Sequence, residues 1–447
     1  MTDRSGADEV TVKVTAEVAI TMTGQEGLAV SPEPGAKAAE QADLRRWAFL
    51  IGAGVFATTL SQPGVIQLPL RNLLKAELGV SPEGMALFLN LLAPAAWYFK
   101  PLAGILSDSF PLFGTRRRHY LLFSATGAAI LWLVVGLVPR SYGSVLAGVM
   151  AVNAMLVIGS TVVGGLMVEA GQRHGATGRL TSARYFVMNV CLLVGGPLGG
   201  FLAARSFGLS TAVGGVIAFS VVPAAYVLLR EPPTAQRSTT AWVNVLAQLK
   251  TLVRSGPLLG AAGLLFLVYI SPGFQTPLYF YQTDTLKFSQ QFIGNLGFIS
   301  GTLGLLGSVI YGVACRRLSL RPLLALGIGC SVVSTLFYLS YTSATAAMFI
   351  EGGAGIFATL AELPLMDLAA RATPRGSEGL GFAVMMSVRN LAIGLSDYFG
   401  SWLMDQVHVG FTSLVWLNAG TTALVLVVIP FLPAILMNRR DGEDAAH

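Results

Sequence analysis

Charge is what this sequence has least of. Of its 447 residues only 12% are charged, against 53% hydrophobic, whereas a soluble globular chain carries roughly 25% charged residues. That inventory cannot supply a water-facing shell. A chain long enough for several soluble domains is therefore read as an integral membrane protein. Cysteine is scarce too: Cys191, Cys315 and Cys330 lie in apolar stretches without CxxC spacing, which argues against a disulfide framework or a zinc site. Four histidines, one of them the last residue, leave little for imidazole chemistry, and neither a metal nor a cofactor is expected. No Walker loop, HExxH or GxSxG occurs, so no ATP motor or hydrolase is visible, and the chain does not read as an enzyme. Gly353-x-Gly355-x-x-Ala358 imitates a dinucleotide fingerprint but lies inside an apolar run with no strand before it. The net charge of +6 comes from Lys and Arg in short bursts between apolar runs, so no nucleic-acid partner is expected.

What is present is a series of apolar runs of the length an α-helix needs to cross about 30 Å of hydrocarbon. They cover 47–69, 85–107, 119–138, 145–168, 182–204, 208–229, 257–279, 292–314, 320–340, 344–368, 380–403 and 412–437. Turn chemistry such as Ser81-Pro82-Glu83-Gly84 and Thr373-Pro374-Arg375-Gly376 separates them. Alternating ten-residue segments, the mark of a membrane β-barrel, do not appear. The fold class is all-α, with 12 transmembrane helices in two pseudo-symmetric six-helix bundles. Residues 1–43, with eight acidic and three basic residues, fit neither a secretory signal nor a transit peptide and read as a disordered cytoplasmic tail. The expected bundles are 44–230 and 257–437, joined by a cytoplasmic loop 231–256 and followed by a cytoplasmic tail 438–447. With both termini inside, the flanks and even-numbered loops hold 18 Lys and Arg and the odd loops 5, the bias the positive-inside rule requires. Without a transit peptide, the expected site is a bacterial cytoplasmic membrane, and a monomer is expected. A shift of 201 positions sets Gly178, Asn189, Gly199 and Phe201 over Gly379, Asn390, Gly400 and Trp402, the fifth and eleventh runs, as a duplicated unit requires. Gly297, Gly301, Gly304 and Gly307 in the eighth run, and the pairs Gly195/Gly199 and Gly196/Gly200 in the fifth, read as packing and sliding faces.

The most specific segment joins the second and third runs. Gly104-x-x-x-Asp108 followed by arginines resembles the loop motif of the major facilitator superfamily. The longer string Lys100-Pro101-x-x-Gly104-x-x-Ser107-Asp108-x-x-Pro111-x-x-Gly114-x-Arg116-Arg117-Arg118 resembles the folate-biopterin transporter branch. A second block, Pro364-x-x-Asp367 through Pro374-x-Gly376-x-Glu378-Gly379 to Met386-Ser387-x-Arg389-Asn390, resembles it as well. The resemblance implies two bundles rocking about a central site and folates or pterins as the substrate class. The reading that follows is a secondary transporter of a folate- or pterin-type anion, coupled to protons as a symporter. Two alternatives stay open: the same fold moving another organic solute or a drug, and a non-transporting membrane sensor.

Ionisable groups inside spans are costly and face a cavity or a partner. Arg389 falls near the midplane, where its guanidinium could grip substrate carboxylates or pair with an acid of the tenth run. Glu351 could accept from a pterin's amino and N–H groups, carry the coupling proton, or pair with Arg389. Asn189 and Asn390 suit a central cavity by their paired placement. Trp97 is a candidate stacking surface, as are Tyr185 and Phe186. Lys100, Asp108, Arg116, Arg117, Arg184, Glu169, Glu362 and Asp367 are expected near the cytoplasmic ends as gating groups, with Lys100 and Asp108 as an inner-gate network in preference to substrate ligands and Arg184 and Glu169 as a latch in preference to a binding pair. Asp397, toward the outer end of the eleventh run, reads as an interfacial residue in preference to an outer-gate contact, and Asn90 and Asn153 are expected to bond neighbouring helices.

Overall fold

The computed structural model of the chain describes residues 34–174, 177–231, 247, 250–315, 317–374 and 378–431. Residues 1–33 and 438–447 of the expected tails, and most of the expected 231–256 loop, lie outside the described residues. Helix is the only regular structure within them, apart from an isolated bridge between Leu112 and Thr115.

Twelve helical spans follow in order. α1 is Pro34–Thr59 continued by Leu60–Gly64, Gln67–Asn72 and Leu73–Glu77, and α2 is Pro82–Ala86, Leu87–Leu92, Ala95–Tyr98 and Lys100–Ser109. α3 is Arg118–Leu137, α4 Tyr142–Arg173, α5 Thr177–Ala203, and α6 Phe207–Phe219 with Val221–Leu228. In the second half α7 is Gly256–Tyr269, Gln275–Phe280 and Tyr281–Thr285, α8 Gln290–Ala314 and α9 Leu320–Phe337. α10 is Ala344–Ala372, α11 Glu378–Asp405, and α12 Phe411–Val425 with Leu426–Phe431. The first helix begins at Pro34, earlier than Leu44, because Pro suits a first helical turn and the Ala, Lys, Glu and Gln after it are strong helix formers.

Local chemistry sets several starts. Ser81, Ser206, Ser255 and Ser289 each accept from the backbone N–H three residues on, satisfying a donor the first turn leaves open. α3 is capped differently. One Glu231 carboxylate oxygen accepts from the backbone N–H groups of Arg117 and Arg118, at 3.0 and 3.2 Å, so the end of the first half closes on the N-terminus of α3, where negative charge is favoured. Gly114 of the family string turns the chain before α3. Phe113 and Gly114 have φ of 49° and 78°, a tight turn that needs two left-handed residues.

Nine of the spans are long and apolar enough to cross a membrane. The other three explain themselves. α2 breaks around Pro94 and before Pro101, α7 breaks at Ser271-Pro272-Gly273, and α11 carries Arg389 and Asp397 in its interior. Large apolar side chains such as Leu137, Val309, Phe349 and Leu424 point outward, as a lipid-facing belt requires.

The two halves repeat one packing scheme. α3 packs on α4 and α6, and α2 on α4; six helices later, α9 packs on α10 and α12, and α8 on α10. The contacts between halves obey the same exchange, α5 against α8 and α2 against α11. The 201-residue shift between the fifth and eleventh runs therefore has a structural counterpart: α5 and α11 occupy equivalent places.

Glycine permits the cross-half approach. A Cβ on Gly294 of α8 would stand 2.3 Å from the Gly196 carbonyl oxygen and 2.9 Å from Gly200 Cα. On the related contact, a Cβ on Gly394 of α11 would stand 2.3 Å from the Asn90 carbonyl oxygen of α2. No side chain fits at either place.

Candidate functional site

Antiparallel helices that touch at one point bring together residues equally far from it. Asn90 of α2 donates to Asp397 of α11 at 2.7 Å. Seven residues is close to two helical turns, about 10 Å along the axis. Stepping seven residues toward the arginine-rich end leads from Asn90 to Trp97 and from Asp397 to Asn390. On the other contact, the same step leads from Gly196 to Asn189. All three lie near the middle of their helices: Trp97 is 15 residues from Pro82 and 12 from Ser109, Asn390 is 12 from Glu378 and 15 from Asp405, and Asn189 is 12 from Thr177 and 14 from Ala203. By this count Trp97, Asn189 and Asn390 lie at about the same depth in the two halves.

The wall on the first half is rigid. Trp97 Nε1 donates to Asn153 Oδ1 at 2.8 Å, and Asn153, fully buried, donates in turn to the Val149 carbonyl at 2.9 Å. Lys100 lies only three residues beyond Trp97, much deeper than an inner-gate position. Its ammonium stands 5.4 Å from the Trp97 ring centroid and donates to Ser160 of α4 at 3.1 Å. Among the described residues Lys100 has no acidic partner.

The wall on the second half is built differently. Arg389 donates to Glu362 of α10 at 2.5 Å, stands 5.0 Å from the Tyr269 ring centroid of α7, and reaches Asn390 Oδ1 at 3.4 Å. The Glu362 side chain keeps 41% of its surface exposed, twice the 21% of Arg389. Glu362, expected at a gate, is therefore the acid that meets Arg389 at mid-depth. Glu351 is not. It lies 11 residues along α10 from Glu362, about 16 Å, and accepts from the Tyr341 hydroxyl at 3.2 Å. Tyr341 accepts in turn from Gln282 Nε2 of α7 at 2.6 Å. The structure therefore does not bring Glu351 to Arg389, Asn189 or Trp97.

The expected gating set divides. Glu169 pairs with Arg117 at 3.1 Å and Arg116 at 3.6 Å, not with Arg184; its carboxylate is engaged by the arginines that precede α3. Room for the Arg117 guanidinium comes from Gly165, where a Cβ would stand 1.5 Å from Nη1. Asp367 is held by Arg371 of its own helix at 2.7 and 2.8 Å, and the Tyr311 hydroxyl donates to it at 3.5 Å. The side chains of Asp108 and Tyr185 lie outside the described residues. Phe186 is 70% exposed and touches no described aromatic ring.

Of the two readings of Asp397, the structure departs from the interfacial one. Asp397 is buried, at 3% exposure, and accepts from three donors: Asn90 Nδ2 of the first half, and the Thr276 N–H (2.9 Å) and Oγ1 (2.5 Å) of α7. The remaining bonds between described residues of the two halves lie at this same end, away from the arginine-rich loops. Lys75 bonds Thr283 and Asp284, Tyr398 and Gln406 each donate to Glu83 at 2.9 Å, and Gln291 donates to the Pro197 carbonyl at 3.2 Å. One sequence signal could have pointed here. Ser61-Gln62-Pro63-Gly64 in α1 and Ser271-Pro272-Gly273 in α7 interrupt corresponding helices of the two halves, the pattern of discontinuous helices in transporter repeats. At the α7 break the freed backbone groups are satisfied from α11 and α12: Gly273 N–H donates to the Ser396 carbonyl at 2.9 Å, Ser396 Oγ donates to the Ser271 carbonyl, and Asn418 donates to the Pro272 carbonyl at 2.9 Å.

Two exchange-related six-helix halves, joined at one end around a polar middle, define a membrane transporter of the major facilitator type. Solved structures share the fold: a D-xylose–proton symporter (TM-score 0.63, 16% identity, covering 88% of this chain and 98% of that one) and a peptide transporter POT (0.63, 12%, 88% and 95%). Within that class the chain belongs to the BT1 family, which residues 62–446 match. It is similar to a folate-biopterin transporter of Synechocystis sp., 30% identical over 399 residues and covering 83% of this chain and 78% of the relative. A probable folate-biopterin transporter 4 of Arabidopsis thaliana is 25% identical (81% and 89% covered), and a folate transporter 2 of Plasmodium falciparum 24% (75% and 77%). The protein is a multi-pass membrane transporter and not an enzyme.

Proposed function

We propose that this chain is a secondary transporter that moves a folate- or pterin-type organic anion by alternating access, coupled to protons. The observation that carries the reading is the asymmetry of the inter-half contacts. Asp397, Lys75, Glu83 and the Gly196–Gly294 approach tie the halves at one end, while Trp97, Asn189, Asn390 and Arg389 lie at the next level inward. With the termini and the arginine-rich loops in the cytoplasm, this is a carrier closed to the outside. The substrate class rests on the named relatives and on the cations and flat aromatic surface at mid-depth. The chain acts as a monomer, because each half finds its partner within one polypeptide. Glu351 is the proton carrier in this reading. Through Tyr341 it is bonded to Gln282, next to the Thr283 and Asp284 that Lys75 holds across the halves.

Counterflow in proteoliposomes tests the reading without assuming the driving ion. Vesicles loaded with unlabelled folate accumulate external labelled folate transiently, and Arg389→Ala lowers that accumulation by more than about ten-fold, as loss of a charged group with a worth of at least 1.4 kcal/mol does. Absence of counterflow by folded protein, for folate and biopterin alike, leaves the transporter class standing and removes the substrate.

A further inference from the structure

The three arginines at the start of α3 have different partners. Arg116 and Arg117 pair with Glu169 of α4. Arg118, the first residue of α3, turns to α6 instead. Its Nη2 donates to the Tyr226 carbonyl at 3.0 Å, and the guanidinium stands 5.2 Å from the Tyr226 ring centroid. Glu231 is taken up by the backbone N–H groups of Arg117 and Arg118, and among the described residues no carboxylate pairs with the Arg118 guanidinium. The rest of its donor fork is therefore without an acidic partner. Arg116, Arg117 and Arg118 against Glu169 and Glu231 leave a surplus of one positive charge, and the exposed Arg230, next to Glu231 in the chain, raises it to two.

This cation sits at the edge of the lipid-facing belt. Tyr226 is 65% exposed, Val227 61% and Phe123 58%. From Phe123 the exposed residues Ile130, Val134 and Leu137 continue along α3 at helical spacing, and Val216 and Phe219 are exposed on α6, against which α3 packs. The two helices thus carry an apolar strip that leads away from Arg118 for about 21 Å, more than one leaflet of a ~30 Å hydrocarbon layer. An arginine and a tyrosine side by side where an apolar belt ends suit the membrane interface, and basic groups between helices at that level suit acidic lipid headgroups.

We propose that Arg118 and Tyr226 form a site for the phosphate of an anionic phospholipid, whose acyl chain lies along the α3–α6 strip. The guanidinium fork matches phosphate oxygens, and the surplus positive charge favours an acidic headgroup over a zwitterionic one. With the arginine-rich loops in the cytoplasm, the lipid belongs to the inner leaflet. The site does not depend on which solute the carrier moves.

The test titrates full-length protein in detergent with dioleoylphosphatidylglycerol and, separately, dioleoylphosphatidylcholine, and reads the first bound lipid by native mass spectrometry. The parent, Arg118→Gln and Arg254→Gln are compared after each elutes as a single folded species. Arg254 is an exposed arginine just before α7, so its replacement makes the same change in net charge on the second half. Arg118→Gln is expected to weaken the first phosphatidylglycerol by at least about five-fold, the scale of one interfacial cation, with Arg254→Gln within about two-fold of the parent. Phosphatidylcholine is expected to bind the parent more weakly than phosphatidylglycerol. Equal weakening by the two variants is the mark of diffuse attraction and overturns the site, as does unchanged affinity in Arg118→Gln or equal affinity of the parent for the two lipids. If Arg118→Gln does not elute as folded protein, Tyr226→Leu is measured, which keeps the cation and its backbone carbonyl and removes only the ring. A loss of at least about two-fold is then expected, and parent-like affinity overturns the site.

Discussion

The role of a charged side chain within a span is decided by its partner, and Arg389 is the clearest case. Its depth, ten residues into a predicted span, is readable from sequence, but the direction in which it points around the helix is not. That direction leads to Glu362, 27 residues back. Replacing Arg389 by Ala strands the Glu362 carboxylate, and replacing both removes the charge altogether. For a fully buried pair, breaking one side costs roughly 3–5 kcal/mol; with Glu362 41% exposed the cost is smaller. The expected outcome is a lowered melting temperature in detergent for Arg389→Ala and a partial recovery in Arg389→Ala with Glu362→Ala. A further decrease in the double variant would show that the two act independently. Asp397 carries the same lesson further. Its partner Asn90 is 307 positions away in the chain, so nothing local distinguishes it from an interfacial carboxylate. Asp397→Asn removes the charge and one acceptor while preserving shape. Thiol labelling of Asn189→Cys from the Lys75–Glu83 end should then be faster than in the parent protein, and an unchanged rate would exclude Asp397 from the closure.

Whole helices approach each other only where their side chains allow it, and the glycines sort accordingly. Hydropathy located the spans because each run loses its apolar character at a turn. It understated α4, α5, α10 and α11, of 32, 27, 29 and 28 residues, because charged end turns end a hydropathy window without ending a helix. The glycine stripe of α8 was legible as a packing face, but not the division of its labour: Gly304 and Gly307 meet Gly355 and Ile356 of α10 within the half, whereas Gly294 meets α5 across it. Only the second contact would have to separate in the proposed rocking of the halves. Gly294→Val is therefore expected to reduce the initial rate of folate uptake by at least about ten-fold, since overpacking a close approach costs roughly 1–3 kcal/mol. Gly312→Ala, with nothing within 4 Å of the added Cβ, is expected to stay near the parent rate. Parent-like uptake in Gly294→Val would show that the α5–α8 approach is not required for the cycle.

For the whole molecule, coupling requires that a proton and the substrate bias the same rearrangement. Glu351 meets the geometric condition without touching the substrate level. Its carboxylate accepts from Tyr341, Tyr341 accepts from Gln282, and the residues after Gln282 are those that Lys75 grips from the first half. In the proposed coupling, protonation alters what Glu351 can accept, and the change passes along α7 to the end where Lys75 bonds Thr283 and Asp284. Glu351→Gln fixes the site in an uncharged form that still accepts from Tyr341. Exchange of substrate for substrate requires only that the loaded carrier reorient, so counterflow in Glu351→Gln should persist. Net accumulation against a gradient requires the empty carrier to return without its proton, and this the variant cannot do. The expected result is retained counterflow with accumulation driven by an imposed pH gradient reduced to the equilibrium level. Accumulation equal to the parent would remove Glu351 from coupling, and loss of both activities would make it a structural residue of the α7–α10 contact.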